Sequence, residues 1–210
     1  MLNVGLTGGL ASGKTFVGNA LADLGCYVIR MDELGHQVLE PGGAAYQATL
    51  DEFGGELGEK LLQPGGAINR RVLGKHVFAD PARLARLNAL VHPAVRARAQ
   101  VLAETFARQH PHGIAVTEAA ILIETGSFRD YDGLILAVCR PEQQVERAMK
   151  RDALTRDEVL DRMRRQIPLD DKRKYAHYVI DTSGPKEETL AQTRMVYHSL
   201  QRWSLKKEEP

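Results

Sequence analysis

The stretch that most constrains this chain lies close to its start: Gly8-Gly9-Leu10-Ala11-Ser12-Gly13-Lys14-Thr15. It follows a short apolar run at 2–7, and after it Phe16, Val17, Ala20, Leu21 and Leu24 recur at helical spacing. A strand, a glycine-rich loop and a helix therefore follow one another directly. Glycines at 8 and 13 let the backbone turn its N–H groups inward, and the helix N-terminus adds partial positive charge, so the loop is a cradle for phosphate oxygens. In such a cradle Lys14 reaches the β- and γ-phosphates of a nucleoside triphosphate, and the Thr15 hydroxyl ligates the accompanying Mg²⁺. A dinucleotide-binding turn needs Gly-x-Gly-x-x-Gly, which these glycines do not make, so hydride transfer is set aside.

Gly25 stops the first helix, and Tyr27-Val28-Ile29 forms a second short run of strand character that ends at Asp32. Two strands flanking a helix imply a parallel βαβ unit, because parallel strands need a crossover. From about Glu40 to His112 helix-forming residues dominate, and breakers recur at Pro64-Gly65-Gly66, Asp80-Pro81 and His92-Pro93. An all-helical insert is expected there. Asn69 would cap a helix through Phe78, Asp80 would cap the next with Pro81 at its start, and Pro93 would open a third. Apolar runs at 113–118 and 134–138 read as central parallel strands covered on both faces. Pro141 then starts a helix through Arg151, and a capping box of Thr155 and Glu158 starts another through Gln166. A short strand at 178–181 and a helix from about 186 to 203 complete the pattern. The mixed-charge end, 206–210, reads as a solvated, frayed terminus. The fold class is α/β: a central parallel sheet flanked by helices, interrupted by a helical insert.

At 210 residues and 43% hydrophobic, the chain can bury one sizeable core with a smaller lobe beside it. Its formal net charge of +1 gives no overall field for a polyanion, which disfavours a dedicated nucleic-acid binder. No apolar run is long enough to export or anchor it, so no membrane association is expected. Cys26 and Cys139 sit far apart in apolar contexts, as buried thiols of a reducing, cytoplasmic setting do.

Which phosphate chemistry the loop serves depends on its company. A GTPase switch wants Asp-x-x-Gly at the end of a strand, whereas Asp130-Tyr131-Asp132-Gly133 precedes one, and no Asn-Lys-x-Asp is present to read guanine. A motor or transport ATPase wants an apolar strand ending in Asp, and Ala115-Val116-Thr117-Glu118 offers a Glu after a Thr. Transfer of the terminal phosphate to a small molecule is the economical reading. Asp32 can accept a proton from an attacking hydroxyl, or equally cap the helix that begins at Glu33. Arg147, Arg151, Arg162, Arg164 and Arg165 outnumber the acids near them; they can form a lid over the transferred group or a solvated face. His92, before Pro93, and His36, one helical turn from Asp32, each read as a satisfied helix residue or as a site residue. No cluster of His and Cys has metal-ligand spacing, so the Mg²⁺ that travels with the nucleotide is the metal expected.

Stretches along nearly the whole chain, in order, resemble the dephospho-coenzyme A kinase family. They are the glycine-rich loop with Leu6-Thr7 before it, Asp32 with Val38-Leu39-Glu40-Pro41-Gly42, Leu87-Asn88-Ala89-Leu90-Val91-His92-Pro93, Ile121-Leu122-Ile123-Glu124, and Gln144-Val145-Glu146-Arg147-Ala148-Met149-Lys150-Arg151-Asp152. Arg162, Gln166, Lys172 and Val179-Ile180-Asp181-Thr182-Ser183-Gly184 complete the series. The resemblance implies a P-loop kinase fold: a nucleotide-binding core at 1–40, 113–140 and 177–205, a helical acceptor-substrate domain at 41–112, and an Arg-rich helical lid at 141–176. It also implies phosphorylation of the ribose 3′-hydroxyl of dephospho-coenzyme A by ATP with Mg²⁺, the last step of coenzyme A synthesis.

On that resemblance Asp32 is the general base, and Lys14 and Arg147 act on the phosphates. ATP would be lined by Gly8, Gly9, Leu10, Ala11, Ser12, Gly13, Lys14, Thr15, Phe16, Arg147 and Gly184, and the acceptor by Asp32, His92, Leu122 and Glu124. ATP and dephospho-coenzyme A are the expected partners, with no nucleic acid, membrane or obligate protein partner. Three positions depart from the family pattern. Arg30-Met31-Asp32 stands where Asp-Ala-Asp is usual, Ala120-Ile121-Leu122 replaces Pro-Leu-Leu, and Thr182 stands where Asn is common. The first departure motivates a rival reading, a non-catalytic ATP-binding module, beside another nucleoside or nucleotide kinase on the same scaffold.

Overall fold

The computed structural model describes residues 1–206, so all of the terminus expected at 206–210 except Lys206 lies outside the described residues. The strands are β1 (Leu2–Gly8), β2 (Tyr27–Arg30), β3 (Ile114–Glu118), β4 (Gly133–Val138) and β5 (Tyr178–Asp181). The helices are α1 (Lys14–Asp23), α2 (Met31–Gln37), α3 (Tyr46–Leu57), α4 (Arg70–Phe78), α5 (Pro81–Gln109), α6 (Pro141–Asp152), α7 (Arg156–Arg164), α8 (Leu169–Lys172) and α9 (Lys186–Lys206). They group into two compact units, residues 1–30 with those from 103 onward, and residues 31–102.

In the first unit all five strands form one parallel sheet in the order β2-β3-β1-β4-β5. The strands flanking α1 are parallel, as expected, but β3 lies between them. Burial explains the order: β3 and β4 are buried throughout and β1 at all but one residue, so they take the centre, while the partly exposed β2 and β5 form the edges. The core under α1 and α9 joins Leu2, Leu6, Val17, Leu21, Val116, Ile135 and Leu200. Gly25, at φ 101°, takes the left-handed turn after α1 that a side chain would resist. In register, Glu118 lies beside Leu6 on one side and beside Arg30 on the other, so β1, β3 and β2 bring their carboxyl ends to one edge of the sheet.

The second unit is helical, built on Phe53, Leu61, Leu73 and Val77 with Leu84 and Leu87 against them. Asn69 caps α4, its Oδ1 accepting from Val72 N at 3.3 Å, and Asp80 Oδ1 accepts from Ala82 N at 2.8 Å at the start of α5. Two local expectations fail here. Pro93 opens no helix, because α5 runs through it without a break. Proline already has a helical φ and removes one ladder donor, and good helix formers on both sides, Leu87, Ala89, Leu90, Ala94 and Arg96, hold the rest. Asp32 does not end a strand: β2 stops at Arg30 and α2 starts at Met31, so Asp32 stands in a helical first turn, where the dipole favours a carboxylate. Among the described residues, no helix is long and apolar enough to cross a membrane.

Candidate active site

The loop between β1 and α1 closes so tightly that side chains would not fit its glycines. A Cβ on Gly8 would collide with Ser12 Oγ and come within 2.7 Å of the Ala137 carbonyl, and one on Gly13, at φ 83°, would lie 2.8 Å from Thr182 Oγ1. From the first turn of α1, Lys14 Nζ donates to Glu118 Oε1 at 2.8 Å, and Thr15 Oγ1 donates to the same oxygen at 2.7 Å. The pair is well shielded, with the Lys14 side chain 11% exposed and that of Glu118 4%. The other carboxylate oxygen is buried without a hydrogen bond and lies 3.6 Å from Arg30 Nε.

Glu118 is thus the site residue that sequence reasoning passed over as an imperfect ATPase strand end. Its signal was a single carboxylate closing an otherwise apolar run. What gives that signal meaning is the place of β3 beside β1, which no local pattern reveals.

On its outer side the loop is held by the segment from α6 to α8. Gln144 Nε2 donates to the Leu10 carbonyl at 2.7 Å and Leu10 N donates to Gln166 Oε1 at 2.9 Å, so two amide side chains clasp one residue's backbone. Leu10 and Ala11 pack against Val145, Ala148 and Val159. Arg147 donates from Nη2 to the Thr182 carbonyl at 2.7 Å and from Nη1 to Thr182 Oγ1 at 3.0 Å, while Thr182 Oγ1 donates to the Ser12 carbonyl at 2.9 Å. Threonine at 182 therefore ties Arg147 to the phosphate loop. Thr182→Ala should weaken ATP binding about tenfold, since a buried bond and its partner's satisfaction are lost together. Isothermal titration calorimetry would read the change, and an unchanged affinity would remove this tie from the site.

Of the other arginines expected in the lid, three meet acids. Arg151 and Arg162 meet Asp152 at 2.7 and 3.8 Å, and Arg164 pairs with Asp161. These exposed pairs are worth roughly 0–1 kcal/mol each, and they show that acids within the same segment were available after all. Arg165 is exposed.

The remaining expected site residues fall as follows. Phe16 is half-buried, with Lys186 Nζ 5.9 Å from its ring centroid. Gly184 has no room for a side chain, because a Cβ would lie 2.5 Å from Glu188 Oε2. Leu122 is buried over Gly5 of β1. Glu124 Oε1 accepts from Ile167 N at 3.3 Å and meets the fully buried Lys172 Nζ at 2.6 Å, a charge contact and not an aligned hydrogen bond. Asp32 and His92 belong to the helical unit, Asp32 exposed and His92 half-buried. Burial, and then the nearby Arg96, hold the His92 imidazole below its ordinary pKa, so it is neutral at pH 7. His36 is exposed.

Both cysteines are free and buried; desolvation pushes the Cys26 thiol up to about 12 and raises that of Cys139. In the Asp-x-x-Gly tetrad, Asp132 Oδ2 accepts from Asn3 N at 2.8 Å, a tie at the start of β1. Among the described residues no group of three or more His, Cys, Asp or Glu could hold a metal ion.

The profile of the dephospho-CoA kinase family matches residues 2–188. A dephospho-CoA kinase from Syntrophus aciditrophicus is 36% identical over 208 residues, which cover 99% of this chain and 85% of that protein. One from Thermobifida fusca is 39% identical over 202 residues, 96% of this chain and 98% of its own. Among solved structures, a Thermus thermophilus protein matches with a TM-score of 0.76 at 32% identity, covering 94% of this chain and 96% of that one. The dephospho-CoA kinase from Campylobacter jejuni shares the fold, with a TM-score of 0.71 at 22% identity over 96% and 98% of the two chains. On the profile match and on identity sustained over nearly its full length, the chain belongs to the dephospho-CoA kinase family.

Proposed function

We propose that this protein transfers the γ-phosphoryl group of ATP to the ribose 3′-hydroxyl of dephospho-coenzyme A, releasing coenzyme A and ADP. ATP-dependent phosphorylation of dephospho-coenzyme A is the reaction of the family, and the observation that carries the proposal is the convergence of Lys14 and Thr15 on Glu118 at the mouth of a phosphate loop.

The site fits a small divalent cation. Thr15 Oγ1 and Glu118 Oε1, two hard oxygens, lie 2.7 Å apart beside the loop, the donor chemistry that Mg²⁺ takes. Thr15 would ligate the ion and Glu118 would hold its water; when bound, it neutralises charge on the β- and γ-phosphates. The chain's own groups supply the rest. Lys14 leaves Glu118 for the phosphates, and the backbone N–H groups of 9–15 cradle them. Asp32 takes the proton of the 3′-hydroxyl as that oxygen attacks the γ-phosphorus and the bond to the β–γ bridging oxygen breaks. Arg147 stabilises the charge shifted toward the leaving ADP. On the family resemblance, acceptor binding is assigned to His92, Leu122 and Glu124, and the segment 141–176 acts as a lid that excludes water. A cytoplasmic setting suits the two buried free thiols.

The test offers γ-labelled ATP with dephospho-coenzyme A, nucleosides and nucleoside monophosphates in turn. Label is expected on dephospho-coenzyme A alone, at the 3′ position. Label on a nucleoside would make this another kinase on the same scaffold, and ATP binding with no labelled acceptor would make it a non-catalytic module.

A further inference from the structure

Glu118 serves two cations at once. Its Oε1 takes Lys14 and Thr15, and its Oε2, buried and without a hydrogen bond, faces Arg30 Nε at 3.6 Å. Arg30 is the last residue of β2, and its Cα pairs in register with that of Glu118. On its other side Arg30 Nη2 donates to Asn19 Oδ1 of α1 at 2.6 Å, so the guanidinium is held from both ends. The absent side chain of Gly18 leaves room for this arrangement: a Cβ there would lie 2.8 Å from Glu118 Oε2.

The two cations have different futures when a triphosphate arrives. Lys14 must leave Glu118 to reach the phosphates, whereas the carboxylate is fixed at the end of β3. A carboxylate 4% exposed that loses its nearest cation is strongly penalised unless another charge stands by. We infer that Arg30, which replaces the acid usual at this position, is a positioning residue: a standing counter-charge for Glu118 that lets Lys14 exchange the carboxylate for the nucleotide.

This inference rests on the reading of the loop as a Mg²⁺-nucleotide site, and it is tested by ATP affinity, measured with Mg²⁺ and with EDTA, in a double-mutant cycle of Arg30→Gln and Glu118→Gln. Without metal, Arg30→Gln should bind ATP about tenfold more weakly than the natural chain, and with saturating Mg²⁺, which supplies a second counter-charge, the deficit should shrink to about threefold. Arg30→Lys should recover most of the loss. In the Glu118→Gln background, where no charge awaits compensation, Arg30→Gln should cost nothing. A deficit that persists there in full would mean Arg30 acts on the ligand directly, and one of equal size with and without Mg²⁺ would mean a structural role only; either overturns the inference. Should Arg30→Gln fail to fold, Asn19→Ala, which removes the Asn19 hold on the guanidinium, should show the same metal-dependent deficit at about threefold, and its absence overturns the inference equally. If the natural chain binds no ATP under either condition, the site reading itself fails.

Discussion

Lys14→Ala is expected to reduce phosphoryl transfer by at least about 10²–10³-fold, the loss that follows removal of one preorganised charge from a developing transition state. The same substitution has a structural cost that must be separated from the catalytic one. A buried carboxylate deprived of its partner typically loses about 3–5 kcal/mol, and the second cation 3.6 Å from Glu118 keeps this case below that range. The double variant Lys14→Ala/Glu118→Gln removes both charges, so its thermal midpoint should return toward that of the natural chain while transfer stays lost. Turnover assayed beside a melting curve distinguishes the two effects. Transfer retained in folded Lys14→Ala would take the phosphate loop out of the mechanism.

This prediction leans on the part of the molecule most legible in the sequence. The glycine-rich loop is a local device: its turns, its helix N-terminus and its lysine lie within eight consecutive residues, and short-range rules suffice for them. Strands 113–118 and 134–138 were legible too, because burial on both faces leaves an unbroken apolar run. Legibility ends where partners are distant. Lys14 and Glu118 are 104 positions apart, and only the insertion of β3 between β1 and β2 makes the glutamate a site residue. Thr182 is 170 positions from the Ser12 carbonyl it binds, so its replacement of the usual Asn could be noticed in the sequence but not interpreted.

Local rules also misled where neighbours outvoted them. Pro93 reads as a helix start, yet a single missing donor is tolerated inside a 29-residue helix. The arginines of 147–165 read as one cationic cluster, yet Arg147 turns to the loop side, through Thr182, while Arg151, Arg162 and Arg164 meet acids on their own segment.

Asp32→Asn should lower turnover by about 10²–10⁴-fold, the usual worth of a general base, with ATP affinity and thermal midpoint close to those of the natural chain. The substitution suits this position because of where the residue stands. In the first turn of α2 an aspartate has a second use, stabilising the helix N-terminus, worth about 0.3–1 kcal/mol. Asparagine keeps the shape and an acceptor oxygen at the helix start, and removes the charge, with it the capacity to take up a proton and most of that small dipole stabilisation. Asp32→Ala, which loses both, should show the same kinetic defect together with a small loss of stability. A kinetic defect in the alanine variant alone would make Asp32 a residue of the helix start and leave the acceptor hydroxyl without a base from this chain. The pair of variants thus separates the two roles that sequence reasoning held equal. It also bears on the loss of the usual partner acid: if Asp32→Asn is as damaging as expected, one carboxylate is enough for proton transfer, and the position two residues earlier was free to become the arginine that faces Glu118.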